Sequence, residues 1–165
     1  MRRPWPEAPG PGQESVWDYP RPPRVEPSNS AIRVVLGGVT IVDTQRSWRV
    51  LETSSPPTYY LDSADFADGT VLPAAGHSWC EWKGEASYFD LCAGGVISAR
   101  AAWSYRDPNP GFSAITGHLS LYAGRVDAIF LDGDRVRAQP GDFYGGWITS
   151  RVTGPFKGDP GTRGW

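Results

Sequence analysis

The chain holds 20 Gly and 16 Pro in 165 residues, roughly 22% against a usual total of about 12%, yet its 8 Trp, 7 Tyr and 6 Phe exclude a chain that never builds a core. A net charge of -2 lacks the basic footprint of a nucleic-acid binder, and two cysteines are too few for a disulfide scaffold or a four-thiolate zinc site. No apolar run approaches the ~18 residues of a membrane span, and residues 1–12 carry paired arginines without an apolar stretch, so the expected location is cytoplasmic with no membrane partner.

Position resolves the excess of Gly and Pro. Residues 1–30 hold 8 Pro and 2 Gly and residues 139–165 hold 3 Pro and 7 Gly, which leaves the middle near ordinary globular composition. This divides the chain into a Pro-rich arm (1–30), a β-rich core (31–138) and a Gly-rich arm (139–165). Both arms keep tryptophans (Trp5, Trp17, Trp147 and Trp165), so they are expected to wrap the core as irregular straps.

In chain order, residues 31–36 and 39–43 around Gly37-Gly38 read as a hairpin, since paired glycines supply the positive φ that a two-residue turn needs. Residues 47–53 and 58–61 flank Pro56-Pro57. One turn of helix is expected over 63–66. Residues 79–91 read as one long strand, paired across Gly94-Gly95 with 96–105. Residues 110–116 suit one or two helical turns stopped by Gly117. Residues 118–122, 126–131 and 135–138 then complete a meander. The fold class is mainly β: a single compact domain of about eight short antiparallel strands with one or two short helical turns.

The chain carries no phosphate-binding glycine loop, dinucleotide fingerprint, zincin helix or C-x-x-C pair. His77 and His118 have no spacing that favours a metal, and no metal or cofactor is expected. Cys80 beside His77 is a candidate nucleophile, although a cysteine among tryptophans is more often a small buried hydrophobe.

The sharpest feature lies in the basic residues, of which 14 are Arg and only 2 are Lys. Both lysines fall in one pattern of aromatic, Lys, Gly, acid: Trp82-Lys83-Gly84-Glu85 and Phe156-Lys157-Gly158-Asp159. Lys is a compact charge suited to anchoring a phosphate or carboxylate, to acid/base work or to imine formation, and the glycine permits close approach of a ligand. The plain alternative is a lysine stem on a neighbouring aromatic ring with its head meeting the nearby acid. Strand alternation would put Trp79, Glu81, Lys83 and Glu85 on one face and Cys80, Trp82 and Tyr88 on the other, unless Gly84 marks a bulge that swaps the faces. Glu52, Tyr59 and Tyr60 before this segment and Trp103, Ser104 and Tyr105 after it are the groups expected to converge there.

These residues also carry a resemblance. Glu52-Thr53 with Pro56-Pro57-Thr58-Tyr59-Tyr60, the run from Cys80 to Tyr88, Ala101-Ala102-Trp103-Ser104-Tyr105 and Arg125-Val126-Asp127 resemble the domain of unknown function 427 family, sometimes labelled nucleotidyltransferase-like. The resemblance implies a fold similar to the β-tent of methionine sulfoxide reductase B and the thalidomide-binding domain of cereblon. Those relatives hold zinc with two C-x-x-C knuckles, which this chain lacks. Nor is a pair of closely spaced Asp read in a strand-turn context that would hold the metals of nucleotidyl transfer.

Two functional classes follow. In one, the domain binds or turns over a small molecule in an aromatic and polar pocket. Lys83, Glu52, Tyr88 and Cys80 are then the candidate catalytic groups, and Tyr59, Tyr60, Trp82, Trp103, Ser104, Tyr105 and Lys157 contact the ligand. Whether such a pocket is an enzyme's is open. In the other, the tryptophan-bearing arms make the domain a non-catalytic interaction module or a homodimer.

Overall fold

The computed structural model describes residues 3–165. Strands take 44% of the residues and the helical segments are short 3-10 turns, so the fold is mainly β. Fifteen short strands run in chain order: β1 (Glu14–Ser15), β2 (Arg24–Ser28), β3 (Ile32–Leu36), β4 (Val39–Thr44), β5 (Ser47–Leu51), β6 (Thr58–Tyr60), β7 (Val71–Cys80), β8 (Gly84–Ala93), β9 (Val96–Ser104), β10 (Leu119–Leu121), β11 (Ala128–Leu131), β12 (Asp134–Arg135), β13 (Arg137–Ala138), β14 (Trp147–Ile148) and β15 (Val152–Thr153).

They form sheets ordered β10-β9-β8-β7, β12-β11-β3-β4 and β2-β5-β6, with two-stranded pieces β13-β14 and β1-β15. The last pair is parallel, Glu14 opposite Val152, an exception to the antiparallel expectation. The expected meander is also corrected. β10 pairs with β9 whereas β11 crosses to pair with β3, because the 3-10 turn Ala123–Arg125 turns the chain out of the first sheet and into the second.

The hairpins at Gly37-Gly38 and Gly94-Gly95 form as read, all four glycines at positive φ. The short helical segments expected near 63–66 and 110–116 are 3-10 turns over Ser63–Asp65 and Pro110–Ile115. The segment 79–91 is different. Cys80 lies opposite Gly84, so the chain reverses through Glu81-Trp82-Lys83 and β7 runs back to Val71. Gly84 takes the positive φ of 103° that ends the turn. Asn109 holds it from outside: its side chain donates to the Trp82 carbonyl at 2.8 Å and its backbone N–H to the Lys83 carbonyl at 3.0 Å.

The central core gathers Ile32, Val34, Leu36, Leu61, Leu91, Leu121 and Trp147 from β3, β6, β8, β10 and β14 and the residues beside them. Trp147 is 1% exposed; its indole N–H donates to the Leu121 carbonyl at 2.9 Å and its ring stacks on Tyr59, centroids 4.9 Å apart. Val16, Trp17 and Tyr19 form a smaller cluster with Leu51 and Val152, with Trp165 against Trp17 at 5.5 Å. Trp5 departs from the expected wrapping and stands 93% exposed, between Pro4 and Pro6. No helix among the described residues is long and apolar enough to cross a membrane.

Candidate functional site

A buried aromatic cluster of Tyr60, Tyr88, Trp103, Tyr105, Phe112 and Tyr122 lies between β6, β8 and β9 and the segments that follow them. Beside it opens a cavity of about 160 Å³, whose walls include Glu52, Tyr60, Cys80, Lys83, Tyr88, Trp103 and Tyr105. Those seven were singled out in the sequence. Trp79, which alternation grouped with Lys83, also lines it, as do Tyr122, Gln139, Phe143, Tyr144 and Gly145; no sequence signal pointed to these five, and residues 139–145 form an irregular loop with no periodicity to read.

The route by which Lys83 reaches the cavity is a correction to strand alternation. Its position in the turn, not on a strand face, brings its ammonium into the cavity, 5.8 Å from the centroid of the Tyr105 ring. Among the described residues Lys83 takes part in no ion pair. Burial works to lower its pKa, but the neighbouring Tyr60, Cys80 and Glu52 outweigh burial and hold it above the ordinary lysine value. Glu81 and Glu85, which alternation grouped with Lys83, are exposed, and Glu85 faces His77 at 3.1 Å on the outside of the hairpin.

Glu52 lies just after β5. Its carboxylate accepts from Arg21 Nε at 3.1 Å, and the same guanidinium donates to the Thr53 carbonyl at 3.0 Å. The cavity's acid is thus already matched by a base from the amino-terminal arm. The tyrosine hydroxyls are in different states. Tyr88 donates to Ser78 Oγ at 2.9 Å and Tyr122 to the Phe143 carbonyl at 3.1 Å. Tyr60 accepts from Trp103 Nε1 at 3.4 Å, and the Tyr105 hydroxyl has no hydrogen-bond partner among the described residues. Burial first, then neighbouring phenols, push the Tyr105 and Tyr122 phenols well above the usual range, so both remain protonated donors.

Four of the singled-out residues do not line this cavity. Tyr59 points to the opposite face of β6 from Tyr60, as successive strand residues must, and stacks on Trp147. Ser104 is buried opposite Ser87 and Leu119 inside the sheet. Trp82 packs on the aromatic cluster from the turn, with its indole N–H buried and unpartnered. Lys157 lies behind the wall: its carbonyl accepts from Gln139 Nε2 at 2.7 Å and its ammonium sits over the Tyr144 ring at 5.3 Å. It therefore supports two lining residues without reaching the cavity.

Among the described residues no three His, Cys, Asp or Glu side chains gather into a metal-binding group. Cys80 and Cys92 are free thiols.

No curated protein matches the chain. The family model described as a domain of unknown function, DUF427, matches residues 24–132, about two thirds of the chain, and the protein belongs to that family.

Proposed function

We propose that the domain binds a small anionic molecule in the cavity at Lys83. The observation that carries this reading is an ammonium that makes no ion pair among the described residues, set in a wall of tyrosine and tryptophan rings. A half-buried charge in such surroundings is costly unless something pairs with it, and the ligand is the missing partner. Its high pKa favours an anchoring role over imine formation or base catalysis, both of which need the neutral amine. Glu52 favours the charged form of Lys83 from nearby, but its carboxylate makes its ion pair with Arg21.

Purified protein examined by native mass spectrometry is expected to retain a small acid, and Lys83→Met is expected to release it while the folded charge-state distribution persists. Retention of the same molecule by the Lys83→Met variant would remove the anion-anchoring role.

A further inference from the structure

Resting on that reading, we infer the class of anion: a monocarboxylate carrying a single planar ring, with the carboxylate at Lys83 and the ring among the aromatic walls. Three observations on the cavity converge on it.

The first is charge. Among the described residues, Lys83 and Glu52 are the only Lys, Arg, His, Asp or Glu side chains lining the cavity, and Arg21 pairs with Glu52. One positive charge is left over. A carboxylate balances it, whereas a phosphate monoester would bring a second negative charge into an aromatic wall with no further cation to meet it. The donors agree. Tyr60 already accepts from Trp103, so its hydroxyl proton is free to donate, and Tyr105 has an unengaged hydroxyl. An ammonium and two phenols match the lone pairs of one carboxylate.

The second is size. An enclosed apolar cavity of about 150 Å³ holds one benzene ring; this cavity measures about 160 Å³ and is partly open to solvent, so one ring fits within it. Its walls suit a ring: Trp103 and Tyr122 lie with centroids 4.6 Å apart, and Tyr60 meets Trp103 edge-on at 6.3 Å. These rings pack against one another, so a flat ligand would extend an existing aromatic cluster in the geometries that aromatic groups prefer.

The third is the rim. Trp79 and Phe143 both line the cavity, yet they are 70% and 60% exposed. They come from β7 and from the 139–145 loop, two large apolar rings that line the cavity and remain in water. A substituent on the far side of the ligand ring from its carboxylate would leave the cavity past these two side chains and cover them.

The test is an NMR titration of the full chain with benzoate, benzamide, acetate and phenyl phosphate, following the tryptophan indole N–H signals. Benzoate is expected to shift them at millimolar concentration and to bind at least about tenfold more tightly than benzamide or acetate. Biphenyl-4-carboxylate should bind more tightly than benzoate, and Trp79→Ala should weaken biphenyl-4-carboxylate more than it weakens benzoate. Acetate or phenyl phosphate binding as well as benzoate, still in a Lys83-dependent way, overturns the ring carboxylate and leaves the anion site standing. Benzoate binding that is equal in wild type and a folded Lys83→Met variant, or equal for benzoate and benzamide, overturns both. Absence of any benzoate shift overturns the ring carboxylate.

Discussion

Gly37 and Gly94 meet backbone to backbone: a side-chain carbon on Gly94 would lie 2.0 Å from the Gly37 carbonyl oxygen, and one on Gly37 would lie 2.2 Å from that of Ala93. Two hairpin turns from different sheets are thereby pressed together without intervening side chains. Their sequence partners Gly38 and Gly95 share the positive φ but face open space. Gly94→Ala is therefore expected to cost about 2–4 kcal/mol, from strain and from separation of the turns. Gly95→Ala should cost only about 1 kcal/mol. Urea midpoints of the two variants measure the difference.

Acid is expected to loosen the junction of the arms. Arg49 Nη1 lies 2.8 Å from Glu14 Oε1, and its hydrogen bond is the leading cause that holds the Glu14 carboxyl below its ordinary 4.5. Asp65, held down chiefly by Arg46, and Asp132 and Asp134, held down chiefly by backbone and serine donors, sit below 3.8 in the same sense. A carboxyl depressed in the folded state contributes stability above its unfolded value and loses it as pH falls through the folded one. The urea midpoint should therefore hold from neutral pH to about pH 5 and fall below pH 4. Glu14→Gln should start lower at neutral pH and fall less on acidification.

The scarcity of lysine makes Lys83 directly observable. Labelling with lysine carrying carbon-13 at Cε gives two signals, because the chain has only Lys83 and Lys157, and Lys83→Met assigns them. The Lys83 signal should titrate above the ordinary 10.5. Anion binding should accordingly stay level from pH 6 to 9, and a midpoint below 9 would contradict the assignment of Lys83 as a permanent cation.

Removing residues 1–28 deletes Val16, Trp17 and Tyr19, buried against Leu51 and Val152, together with β2. Each large buried side chain is worth roughly 1.5–3 kcal/mol, so the sum approaches the 5–15 kcal/mol of a typical domain. Loss of the near-ultraviolet circular dichroism of the folded state is expected. Removal of residues 1–6, where Trp5 is exposed and Arg3 lies over the Trp17 ring at 4.9 Å, should lower the unfolding free energy by no more than about 1 kcal/mol.

The glycine pairs made β3-β4 and β8-β9 legible, because a two-residue turn demands what only those positions offer. β7 was hidden by Pro73 and Gly76. It is an edge strand, with a register shift between Pro73 and His77, and an edge tolerates proline where an inner strand would not. Missing β7 meant missing the reversal at Glu81-Trp82-Lys83, and with it the reason Lys83 turns inward. Rarity of lysine still located the residue, since that signal is independent of secondary structure. Tyr122 and the 139–145 loop were beyond reach: tertiary contacts alone bring them to the cavity, and Gly145 fits there because a side chain would meet the Trp103 ring at 2.1 Å.

The cavity walls are drawn from Val50 through Gly145, with Arg21 reaching in from the other arm. A receptor assembled from such distant stretches exists only when nearly the whole chain is in place, so occupancy and global folding are thermodynamically linked. A ligand present at a hundred times its dissociation constant would add about 2.7 kcal/mol to the stability of the entire molecule. Thermal-shift screening of small acids would then report on the site without any assay of activity, and amide exchange would slow in β2 and β15 as well as at the cavity itself.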